Sequence, residues 1–134
     1  MISKRRFKID KLVRDKNREY LLTQGAVSFN RVMESAEYVE RLKDKLLEET
    51  QELVAAKTKD EYLVELADVL EVIHAFVSTM DIAYEQVEQE RLKKREKRGG
   101  FEGRIYSSYT EVDSDNKETI DYLLRQPDKY PEIE

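Results

Sequence analysis

Apolar residues recur at helical spacing along most of this chain, and the breaks in the pattern carry as much information as the pattern itself. Val39, Leu42, Leu46, Leu53 and Ala56 step along at intervals of three and four, which predicts a helix capped by Ser35, with one gap in the apolar seam filled by Glu49. Thr58-Lys-Asp-Glu61 is a capping box, whose hydroxyl and carboxylate satisfy reciprocal backbone donors at the start of the next helix, which reaches to about Met80. The second half of that helix is apolar almost all round, from Val69 to Val77, broken only by Glu71 and His74. A helix with so little polar surface needs burial on more than one side, and in a short chain this predicts a subunit interface.

A shorter helix is predicted from about Asp15 to Gly25. Another, capped near Asp81, carries Ile82, Val87 and Leu92 and stops at Gly99-Gly100, and a last one covers Lys117 to Gln126. Residues 27–32 and 101–106 read as short extended segments. The expected fold is all-α: an antiparallel helical bundle completed by oligomerisation. His74, on the apolar helix, reads as a packed core or interface histidine rather than a ligand.

The 134 residues suit one domain, and 29 acidic against 24 basic residues give a formal net charge of −5. Charged residues make up 40 % of the chain, well above the usual ~25 %. The helical periodicity assigns this excess to solvated helix surface rather than to disorder. The absence of cysteine and the lone His74 exclude disulfides, thiolate zinc sites, iron–sulfur clusters, cysteine nucleophiles and HExxH zinc chemistry. Carboxylate chemistry remains.

The longest charge-free stretch, Tyr20 to Asn30, is far short of the ~20 residues a membrane helix needs. The basic first residues lead into no apolar run, so no secretory signal is read and the cytoplasm is the expected location. Residues 1–106 form the expected domain. From Ser107 the balance turns acidic, and 107–134 is expected to be an extension packed on the domain or on a neighbouring subunit. Net acidity and the lack of interleaved aromatics in the basic amino-terminal segment argue against nucleic acid as a partner.

Glu48, Glu49 and Glu52 make an E-E-x-x-E run on one predicted helix, and Glu65 with Asp68 makes E-x-x-D on the next, with a dozen residues between the motifs. Positions i and i+3 share a helix face, so each helix projects a pair of carboxylates. The short connection around Lys57 to Asp60 forces antiparallel pairing, which lets the pairs converge. A single such pair, among 29 acids, would be a solvated face. Two pairs on consecutive hairpin helices, one acid interrupting the apolar seam, are different, because desolvation and like charge both penalise them unless a cation intervenes. Oxygen-only ligands favour Mg²⁺, with Mn²⁺ as the alternative, and magnesium in such sites usually binds substrate phosphate.

These motifs resemble those of the MazG-like all-α nucleotide pyrophosphohydrolase superfamily. Lys11-Leu-Val-Arg-Asp-Lys16, Glu65-Leu-Ala-Asp68 and Arg98-Gly-Gly-Phe101 are similar to its small phosphoribosyl-ATP pyrophosphohydrolase-like branch over residues 8–106. The resemblance implies a Mg²⁺-dependent catalytic domain that cleaves a nucleoside triphosphate to monophosphate and pyrophosphate, working as a homodimer or homotetramer. It implies Glu49, Glu52, Glu65 and Asp68 as metal ligands. Glu48 is left as an acid behind the ligands, a ligand to another metal, or the base acting on the attacking water. Lys94 and Arg98, with Lys11, Arg14 and Lys16, would face the phosphates. True phosphoribosyl-ATP pyrophosphohydrolases carry a histidine soon after the aspartate, whereas here Val69, Leu70, Glu71 and Val72 follow Asp68. House-cleaning of ordinary or damaged nucleotides is therefore the expected role. The alternative is a non-catalytic helical module of the same fold that binds a nucleotide or a protein.

Overall fold

The Thr58 hydroxyl accepts a hydrogen bond from the Glu61 N–H at 3.1 Å, while the Glu61 carboxylate accepts from the Lys57 N–H at 2.8 Å. The capping box therefore closes one residue earlier than the usual reciprocal pairing, and it turns the chain between its two longest helices. In the computed structural model, which describes residues 3–134, five helices follow one another: α1 (Asn17–Thr23), α2 (Ser35–Ala55), α3 (Lys59–Thr79), α4 (Tyr84–Arg98) and α5 (Lys117–Leu124). No strand forms among the described residues, so the chain is all-α.

The residues divide into two compact units, one ending at Lys94 and one running from Arg95 to Glu134. The first is organised by the antiparallel α2–α3 hairpin. Leu42, Ala56 and Val72 are its buried apolar residues, Leu42 alone fully covered, and Glu49 is buried with them. Within this unit α4 meets α3 through Tyr84, which stacks on His74 with ring centroids 4.2 Å apart. In the second unit Asn116 caps α5 by accepting from the Thr119 N–H at 3.2 Å, and Tyr122 leans on Tyr130.

Several local expectations shift. Ser35 is the first helical residue rather than the cap; Glu34 precedes it in extended conformation and makes no side-chain capping bond. Asp81 is not a cap either, for it takes a left-handed φ of +56°, and Gln86 instead accepts from the Ala83 N–H at 2.8 Å. Residues 101–106 form no strand: the Arg104 N–H donates to the Phe101 carbonyl at 3.1 Å to close a turn, and Arg104 takes φ +57°. Residues 27–32 pair with no strand, and Phe29 and Val32 are almost wholly exposed, so no neighbour exists to hold a ladder. His74 is exposed in the single chain rather than packed in a core. No helix is long and apolar enough to cross a membrane among the described residues.

Candidate metal centre

Glu49 stands where the apolar period of α2 calls for a hydrophobic residue, and the hairpin buries it to 7 % exposure. Opposite it on α3, Glu65 and Asp68 lie three residues apart, so one helix face presents both. One carboxylate oxygen from each of Glu49, Glu65 and Asp68 can be chosen such that all three lie within 4.8 Å of one another. Oxygens at this separation can converge on one divalent cation. Glu49 Oε2 and Glu65 Oε2 are buried and have no hydrogen-bond partner. An orphaned buried acceptor costs free energy, so the donor set fits a hard cation better than it fits an empty cluster.

Electrostatics agree with the geometry. Burial holds the Glu49 carboxyl above the ordinary range, the neighbouring Glu52 charge pushes it further up, and Lys45 pulls it partly back. Burial also raises Glu65, with Glu52 and then Asp68 adding to the effect. Glu52 itself is exposed and stands outside the triangle, at the edge of a shallow hollow lined by Ala55, Ala56, Glu61 and Glu65.

Glu48 points elsewhere. Its two carboxylate oxygens meet Lys11 Nζ at 3.3 Å and Lys45 Nζ at 3.5 Å. Lys45 also approaches Glu49 at 3.6 Å, and its side chain is largely covered. Sequence reasoning overlooked Lys45, although a lysine three and four residues before two glutamates is a legible helix pairing. From the irregular amino-terminal segment, Arg14 donates to Asp68 Oδ1 at 2.7 Å. Lys16 and Lys94 are exposed and make no ion pair among the described residues, and Arg98 lies in the second unit, in the last turn of α4.

No protein-family model, curated protein or solved structure matches the chain. Three carboxylates across two rigid helices, with one oxygen each on Glu49 and Glu65 unsatisfied, could bind a metal ion. Lysine and arginine side chains sit at the same rim. A ligand that brought both a divalent cation and anionic groups would satisfy both sets of charges.

Proposed function

We propose that the chain is a Mg²⁺-dependent nucleoside triphosphate pyrophosphohydrolase that releases a monophosphate and pyrophosphate and serves nucleotide house-cleaning. The observation that carries this reading is the Glu49–Glu65–Asp68 triangle with its orphaned buried oxygens. The order of the E-E-x-x-E, E-x-x-D, K-L-V-R-D-K and R-G-G-F motifs supports it through their resemblance to the MazG-like superfamily.

Glu49, Glu65 and Asp68 would hold Mg²⁺, which neutralises phosphate charge and makes a water more acidic when bound. Glu52, exposed beside the triangle, would take the proton of a water attacking the α phosphorus, in place of the metal-ligand role the resemblance implies for it. The bond from that phosphorus to the bridging oxygen breaks, and pyrophosphate leaves with the electron pair. Lys11 and Arg14 at the rim stabilise the charge that builds on the leaving group. Lys16, Lys94 and Arg98 are assigned to the phosphates by the resemblance alone.

The working form is a homodimer or homotetramer. Leu63, Leu66 and Leu70 recur on one face of α3, and Leu47 and Val54 on one face of α2, each of them exposed in the single chain. An apolar face of this extent is characteristic of a subunit contact. Incubating the protein with a panel of nucleoside triphosphates and Mg²⁺ tests the activity. Pyrophosphate and monophosphate in equal amounts are expected; orthophosphate as the sole product, or no turnover, overturns the reading.

A further inference from the structure

Arg14 and Lys11 reach the acidic site from a stretch without regular secondary structure, just before α1. Arg14 holds Asp68, one of the three acids of the triangle, with a short charge-assisted hydrogen bond, and Lys11 holds Glu48 beside it. Arg14 draws on Asp68 Oδ1, and a divalent ion held by the same carboxylate would repel the guanidinium beside it, so the two cations compete for Asp68. The contact is also easily broken: the Arg14 side chain is 62 % exposed, the Asp68 side chain 30 %, and the backbone around Arg14 is anchored by little more than one turn bond, from the Asn17 N–H to the Arg14 carbonyl at 3.0 Å. Exposed ion pairs of this kind shift an equilibrium by a factor of about five at most. A divalent ion meeting three carboxylates can displace such a pair.

We propose that Arg14 is an exchangeable cation of this site. It occupies Asp68 before metal arrives, is displaced when metal binds, and then becomes a donor to the anionic phosphates of the incoming ligand. This rests on the metal reading above and adds to it an order of events: metal first, then release of residues 11–16, then phosphate capture by a guanidinium already held within reach. The bidentate fork of arginine suits both partners, a carboxylate and then a phosphate, without a change of side chain. Lys11 would follow the same course more weakly, since its contact with Glu48 is longer and shared with Lys45.

The exchange is tested by calorimetric titration of Mn²⁺ alone into the full chain, comparing wild type with Arg14→Ala and with Arg6→Ala, which removes the same charge from a side chain that pairs with no acid among the described residues. Arg14→Ala is expected to bind Mn²⁺ about three-fold tighter, and Arg6→Ala to match wild type. Arg14→Gln, which keeps the aliphatic stem and removes the charge, replaces the alanine variant if that one unfolds. Limited trypsin cleavage gives a second readout: the bonds after Lys11 and Arg14 should be cut faster once Mg²⁺ frees those side chains. Unchanged or weaker Mn²⁺ binding by the Arg14 variants, or slower cleavage after Arg14 with Mg²⁺, overturns the exchange while leaving the metal centre standing. Absence of any Mn²⁺ binding to wild type overturns both.

Discussion

Glu49 on α2 and Glu65 on α3 face one another across the hairpin, and each keeps one buried carboxylate oxygen without a hydrogen-bond partner. The pair is a local source of instability in the metal-free chain, since two acids that repel each other are held out of water.

Removing one of those charges should therefore stabilise the metal-free protein. Glu49→Gln is expected to raise the melting temperature by a few degrees and to abolish any further rise on adding Mg²⁺. In wild type, Mg²⁺ at a hundred times its dissociation constant should add about 2.7 kcal/mol. Asp68→Asn should behave differently: it removes the charge that Arg14 meets at 2.7 Å, so little or no gain is expected without metal. Thermal denaturation of the two variants with and without Mg²⁺ checks this, and equal gains from both would contradict it.

The same acids set a pH dependence. Glu49 and Glu65 hold their protons more tightly in the folded chain than the ordinary glutamate value of 4.5, because of burial and then the Glu52 charge. Their contribution to stability is therefore fully present below that value and is lost as pH rises through the raised ones. Glu37 and Glu88, lowered chiefly by hydrogen bonds from Arg31 and Arg91, act in the opposite sense, contributing above the ordinary value and losing that contribution as pH falls through the lowered ones. Those two pairs are exposed and weak. The metal-free melting temperature should thus fall as the pH rises above the ordinary glutamate value and through the raised ones, the fall should be smaller in Glu49→Gln, and saturating Mg²⁺ should remove it. A flat wild-type profile would show that the acids carry no such strain.

Thr58→Ala deletes the hydroxyl that satisfies the Glu61 N–H at the start of α3. A loss of about 1 kcal/mol in unfolding free energy is expected from denaturant titration. Thr58→Ser, which keeps the acceptor, should recover most of it. If serine failed to do so, the methyl group rather than the cap would be the stabilising part.

Leu66→Glu places a charge on the exposed apolar face of α3, where Leu66 is 54 % exposed in the single chain. Sedimentation velocity should show a shift from the oligomer toward the monomer at micromolar concentration. A mutant that stays assembled would place the contact elsewhere, and a monomeric wild type would overturn the oligomer.

Much of this architecture was legible because it is written locally. The periods of three and four around Leu42 and Val72 mark α2 and α3, and Thr58 with Glu61 marks the turn between them, since helix faces and caps depend on residues within a turn or two. Ser35 misled for a related reason: serine is a good cap in general, but the chain enters α2 one residue earlier, through extended Glu34. Phe101 to Tyr106 misled because a short run with little periodicity does not reveal the positive φ that Arg104 adopts.

By itself the sequence determined that the chain is helical, that five acids stand on consecutive helices, and that no cysteine or histidine cluster competes with them. Only the tertiary structure decided how these charges are sorted. Glu49 meets Glu65 and Asp68, while Glu48 is turned to Lys11 and Lys45. Arg14 closes on Asp68 across 54 residues of chain and Lys11 on Glu48 across 37. The physical reason is that which carboxylates converge depends on the axial offset and rotation of two packed helices, and which cations reach them depends on the path of an irregular segment. Neither is encoded in the spacing of neighbouring residues.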